Sequence, residues 1–158
     1  MLGEFHSVIG GLVRRFDATV GFLEGDGVQL FFNDPHEVPD APLRAVRLAC
    51  ALREEMADLT PVWRKRGYEL GLGVGIALGY ATCGEVGFEG RSDYAAIGAV
   101  TNLAARLADE ATAGQVLIAR QVEDQFAINM DLQETPQRLG RPLTIRAAKG
   151  ICSVPDAP

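Results

Sequence analysis

Gly25-Asp26-Gly27-Val28-Gln29-Leu30-Phe31-Phe32-Asn33-Asp34-Pro35 reads as the turn and second strand of a tight β-hairpin. Residues 19–23 and 28–32 are both β-prone, and Glu24-Gly25-Asp26-Gly27 between them has the composition of a hairpin turn. Asn33-Asp34-Pro35 closes the second strand. A carboxylate at the tip of such a turn, Asp26, is held rigidly and points away from the sheet. Aspartate is a hard oxygen ligand that suits Mg²⁺ bound together with substrate phosphates. Taken alone, glycine-aspartate-glycine is more often an ordinary turn.

Upstream of the hairpin, Leu2, Phe5, Ile9, Leu12 and Phe16 recur every three to four positions, the apolar face of an amphipathic helix weakened by Gly10 and Gly11. Downstream, Asp40 is placed to cap a second helix, with Pro42 in its first turn. That helix carries Ala45, Leu48, Leu52, Met56, Leu59 and Trp63 on one face. Pro61 is expected to kink or briefly interrupt it, and Gly67 to stop it. Residues 68–80 read as extended, 81–96 as strand, loop and strand, and 98–111 as a helix. A strand over 115–119, a short helix over 120–126 and two edge strands near 130–134 and 143–146 follow. The predicted fold class is α+β: an antiparallel-rich sheet with helices on one face. One domain is expected over residues 1–150, with a frayed tail over 151–158.

Two further features could carry chemistry. Asn102 and Arg106 lie four apart on a predicted helix and share one face, away from the apolar face of Val100, Leu103, Ala104 and Leu107. Arginine offers a rigid fork of donors for phosphate oxygens, and asparagine can orient a sugar or a leaving oxygen; the same pair is also what a solvated helix face looks like. Gly71, Gly73 and Gly75, with Gly79 after them, run as GxGxG without a helix directly following, which excludes a dinucleotide fingerprint. Alternating glycines in a strand mark the close approach of another backbone. The chain has no GxSxG, no HExxH and no P-loop, and His6 and His36 have no metal spacing.

The bulk composition narrows the classes. The chain has 158 residues, 47% hydrophobic and 23% charged, enough to bury a sizeable core. A net charge of −6 without a basic stripe argues against a nucleic-acid binder. Cys50, Cys83 and Cys152 have no metal-like spacing and read as reduced thiols. No run is long and apolar enough to span a bilayer and no secretion signal opens the chain, so a cytoplasmic location is expected.

Each signal is weak alone, but their order is specific. The run 25–35 resembles the metal hairpin of class III adenylate and guanylate cyclases. Leu72-Gly73-Val74-Gly75-Ile76-Ala77-Leu78-Gly79 resembles that family's GIxxG strand. Asp93-Tyr94-Ala95-Ala96-Ile97-Gly98-Ala99-Val100-Thr101-Asn102-Leu103-Ala104-Ala105-Arg106-Leu107 is similar to its YxxxGxxxNxAxR signature, and Gly114-Gln115-Val116-Leu117-Ile118 continues the match. The likeness covers roughly residues 1–120.

The resemblance implies a ferredoxin-like cyclase fold. It further implies a homodimer with the active site at the interface, and an intracellular signalling role with sensor or regulatory domains elsewhere. The implied reaction converts ATP, or GTP, into a 3′,5′-cyclic nucleotide and pyrophosphate with two Mg²⁺ or Mn²⁺ ions. By position, Asp26 is a metal ligand between Gly25 and Gly27, Asn102 orients the ribose, and Arg106 stabilises the transition state. Three departures stand out. The family's other metal aspartate lies on an opening central strand that this chain is expected to lack, which would make Met1 an internal methionine of a longer protein. The two base-reading positions hold Phe22 and Ala95, neither able to make a polar side-chain contact. Ala99 stands where many members have aspartate. A degenerate cyclase domain, binding nucleotide or a partner without turnover, is the alternative. The reading frame upstream of Met1 checks the first departure: an open continuation is expected, and a nearby stop codon would sink it.

Overall fold

The computed structural model describes residues 2–24, 26–88, 90–125, 137–139 and 143–147; Gly25, the strand expected near 130–134 and the tail over 151–158 lie outside them. Helix α1 (Leu2–Phe16) buries Phe5, Ile9, Leu12 and Phe16, the spacing read from the sequence, and its two central glycines do not break it. The stripe packs on Leu48, Ala51, Leu52, Met56 and Trp63 of α2 (Ala41–Lys65). Burial of each large side chain contributes about 1.5–3 kcal/mol, more than the ~1 kcal/mol that a glycine costs a helix. At the open end of this pair, the Trp63 indole donates to Glu4 Oε2 at 2.9 Å and Arg66 Nη1 lies 3.1 Å from Glu4 Oε1. The Trp63 hydrogen bond, with Arg66 beside it, draws the Glu4 carboxyl down to about 2.

Two expectations about α2 are corrected. The helix is not interrupted at Pro61, because the buried Met56 and Trp63 anchor the turns on either side of it. Asp40 does sit at the N-cap position, but in the left-handed region (φ 53°) and with no side-chain capping bond. Its carbonyl accepts the first helical bond, from Arg44 N at 2.9 Å.

Strands β1 (Thr19–Glu24) and β2 (Gly27–Phe31) form the expected antiparallel hairpin, Thr19 opposite Phe31 and Glu24 opposite Gly27. Val28, Leu30 and Phe32 point to the α1–α2 cluster, so Gln29 and Phe31 take the other face by alternation. Of residues 68–80 only β3 (Val74–Ile76) is ladder-paired, running parallel to β6 (Val116–Ile118). β8 (Leu143–Ala147) continues that sheet antiparallel to β6, and β7 (Gln137–Leu139) pairs with β8. β4 (Thr82–Phe88) and β5 (Arg91–Ile97) make a separate antiparallel pair. Among the described residues β2 pairs with β1 alone and β3 with β6 alone. The chain is α+β and antiparallel-rich, as expected.

The helices are not confined to one face. Val74 and Ile76 pack toward Val46, Ala49 and Cys50 of α2, whereas Gly75 faces α3 (Ala99–Glu110) on the other side of the strand. A methyl group at Gly75 would lie under 3.0 Å from Ala104 O, Ala108 N and Leu107 Cβ; one at Gly73 would lie 2.8 Å from Ala111 O and 2.9 Å from Ala108 O. Helix backbone therefore rests directly on strand backbone, the close approach that the glycine series signals. Leu117 alternates to the α3 side with the fully buried Leu107, while Val116 and Ile118 join α2. The short helix α4 (Arg120–Asp124) closes this end with Val122.

The hairpin is tied to β5 by the Tyr94 hydroxyl, which donates to the Asp34 carboxylate, while the Tyr94 and Phe31 rings lie 5.9 Å apart. That hydrogen bond, with partial burial and the Asp34 charge adding to it, raises the Tyr94 hydroxyl to about 12. A raised acid favours the protonated native state, so its stabilising contribution is intact below the ordinary tyrosine value of 10 and is lost as pH rises through about 12. In a tyrosinate absorbance titration, one of the three tyrosines should ionise late, and Tyr94→Phe should remove that phase. Gly75→Ala should lower unfolding free energy by about 1–3 kcal/mol or more, measured by denaturant titration. Gly84→Ala, where an added methyl meets nothing within 4 Å, should stay within about 0.5 kcal/mol of the parent.

Candidate active site

The sequence-derived site residues fall on three elements. Asp26 occupies the hairpin tip, exposed, and Gly27 opens β2 beside it, also exposed. Phe22 lies within β1. Ala95 is on β5, buried and opposite Gly84 of β4. Asn102 and Arg106 lie on α3, both exposed, while Leu107 beside them is fully buried.

The placement of the last pair follows from local chemistry. Only Gly98 separates β5 from α3, and it presses against the Tyr80 carbonyl, where a methyl group would come within 3.0 Å of the oxygen. Thr101 then caps the helix start: its hydroxyl accepts from Gly98 N at 3.2 Å and donates to Gly98 O at 2.7 Å. With the inner side of α3 seated on Gly73 and Gly75, the outer side carries Asn102 and Arg106 to solvent. One helical turn apart, they can address a single ligand. Among the described residues neither their side chains nor that of Asp26 form a hydrogen bond or ion pair within the chain. An unengaged guanidinium and amide on a rigid helix can meet the charge that builds up on a phosphoryl group.

The structure brings the hairpin against β5 and joins β5 to α3. It does not bring Asp26 into bonded contact with Asn102 or Arg106. Asp17, just before the hairpin, is engaged elsewhere, with Arg44 Nη1 2.5 Å from its Oδ2.

One neighbour of the site escaped the sequence reading. The Gln29 side chain crosses β1 over Gly21 and reaches β5, its Nε2 donating to Ala96 O at 3.1 Å and its Oε1 lying 3.5 Å from Ala96 N. The available signal was a polar residue between Val28 and Leu30 with a glycine on the partner strand.

A divalent ion fits this donor set only in part. Among the described residues no three His, Cys, Asp or Glu side chains gather, so no all-protein cage exists there. Mg²⁺ is commonly held by one or two carboxylates together with substrate phosphates, and Asp26 can be that carboxylate for one ion.

No family model matches the chain. It is 32% identical over 108 residues to adenylate cyclase 1 of Rhizobium meliloti, covering 68% of this chain and 16% of that protein. It is 29% identical over 126 residues to an uncharacterised protein of Mycobacterium tuberculosis, covering 78% of this chain and 22% of that protein. The chain thus spans about a fifth of the length of the curated relatives it matches. In structure it is similar to the adenylyl cyclase CyaB from P. aeruginosa, with a TM-score of 0.83 and 28% identity over 92% of this chain and 79% of that one. A guanylyl cyclase superposes with a TM-score of 0.84 at 23% identity, over 97% of this chain and 80% of that one. The ordered motifs, the glycine-seated helix and these likenesses agree: in sequence and fold the chain is similar to adenylyl and guanylyl cyclase catalytic domains.

Proposed function

We propose that the chain cyclises a purine nucleoside triphosphate, ATP to 3′,5′-cAMP and pyrophosphate, at the interface of a homodimer. The observation that carries this reading is the pair Asn102 and Arg106, solvent-facing and unengaged among the described residues on a helix whose other side is locked to β3. Support for ATP over GTP is indirect: the Rhizobium relative is named an adenylate cyclase and one structural neighbour an adenylyl cyclase. Support for a dimer comes from β4–β5, where Val86, Phe88 and Ile97 share one face and are 47%, 74% and 56% exposed, with Tyr80 fully exposed nearby. Apolar exposure of that kind marks an interaction surface.

In this reaction the ribose 3′-oxygen attacks the α-phosphorus, the bond to the β-phosphate oxygen breaks, and the hydroxyl proton leaves to solvent. Negative charge grows on the equatorial oxygens of the α-phosphoryl group as it is attacked. Arg106 meets that charge with fixed donors, which lowers the barrier because the guanidinium need not reorganise. Asn102 holds the ribose so that the 3′-oxygen lies in line with the leaving pyrophosphate. Asp26 contributes a carboxylate to a divalent ion, which when bound with the triphosphate neutralises its charge and acidifies the hydroxyl. In the dimer, α3 of one protomer would face the hairpin of its partner.

A second reading, a cyclase domain that holds nucleotide without turnover, is favoured by the absence, among the described residues, of any cluster of three His, Cys, Asp or Glu side chains around Asp26. Incubation with Mn²⁺-ATP and with Mn²⁺-GTP, products read by mass spectrometry, separates the two. Cyclic product is expected, and Arg106→Ala should cut its rate by about a hundredfold or more with unfolding unchanged, since the side chain is exposed. No product, with nucleotide binding that disappears in Asp26→Ala, would establish the second reading instead.

A further inference from the structure

Neither family base-reading position can use its side chain as a polar group, since residues 22 and 95 are phenylalanine and alanine. A polar group nevertheless lies between the two strands that carry them. The Gln29 amide passes over Gly21, the neighbour of Phe22, and ends on Ala96, the neighbour of Ala95. Gly21 is what allows this: a methyl group there would sit 2.5 Å from Gln29 Oε1. No ladder joins β1 to β5 among the described residues, so the amide stands where ladder bonds would otherwise be. The contact with Ala96 uses the facing Nε2 proton and Oε1 lone pair of the amide, leaving one donor and one acceptor that diverge on either side of the Cγ–Cδ bond. A purine ring nitrogen can accept from that donor and the adenine amino group can donate to that acceptor, so one such bond biases the choice of base.

We infer that Gln29 is the purine-reading residue of this chain, its amide taking the role that the side chains at 22 and 95 cannot fill. This rests on the nucleotide reading above. It makes specificity depend on β2, the same strand that carries Asp26 at its turn, so base and phosphate recognition are built on one hairpin. The amide is half-buried and held at one end, so a base binding against it meets a group already oriented.

The test compares binding of Mn²⁺-ATP, Mn²⁺-GTP and Mn²⁺-tripolyphosphate by calorimetry on the full chain and on three variants. Gln29→Leu should weaken the preferred purine nucleotide by about fivefold or more and leave tripolyphosphate unchanged. Gln29→Glu, with acceptors only, should shift preference toward GTP, whose base offers two donors on one edge. Gly21→Ala, which displaces the amide without altering it, should reproduce the loss seen in Gln29→Leu. A parallel loss for tripolyphosphate would reduce Gln29 to a structural tie, and unchanged nucleotide affinity in all three variants would overturn the inference outright. Should the parent chain bind purine nucleotides no better than tripolyphosphate, the nucleotide reading itself falls, and this one with it.

Discussion

The contact between α3 and β3 is backbone against backbone, and the position of every proposed transition-state group depends on it. Gly73 and Gly75 leave no room for a side chain beneath Ala104, Ala108 and Ala111. Small residues on the helix and none on the strand bring two hydrogen-bonded frameworks together with little freedom to slide. Leu107 fills the remaining space against Leu117 and Ala119. With one side of the helix fixed in this way, the direction in which Asn102 and Arg106 project is fixed as well.

Much of this was legible in the sequence, because the relevant signals are local or steric. The three-to-four spacing of Phe5, Ile9, Leu12 and Phe16 names its own helix, and the turn composition at 24–27 names its hairpin. The glycine series announced a close approach, since absent side chains in a strand have few other uses. The identity of the approaching element was not legible: nothing in Gly71-Leu72-Gly73-Val74-Gly75 says that a helix thirty residues on will lie there. For the same reason helices were expected on one face, whereas α2 and α3 enclose β3 and β6 from both sides. Pro61 misled because propensity was weighed without the flanking anchors Met56 and Trp63. At Asp40 the position was right and the chemistry wrong, since its backbone is left-handed and its side chain makes no capping bond.

Side chains do much of the joining between the hairpin and the rest. Where β1 runs beside β5 without a ladder, the Gln29 amide and the Tyr94–Asp34 pair supply the polar connections. Such ties are invisible to pattern reading because they depend on register between segments 60 and 67 residues apart. They also place recognition groups and structural groups on the same few strands, which is economical in a domain of this size.

The single residue between β5 and α3 has a mechanical meaning. Gly98 is pinned against Tyr80, and Thr101 locks the turn that follows, so the β4–β5 arm and α3 form a stiff lever with almost no slack at its joint. The hairpin bearing Asp26 is coupled to that lever through a few side-chain bonds and is the compliant part. A force applied to the exposed apolar face of the arm would therefore be passed to α3 and its seat on β3 without moving Asn102 and Arg106 relative to them, while the hairpin yields and changes its distance from that pair.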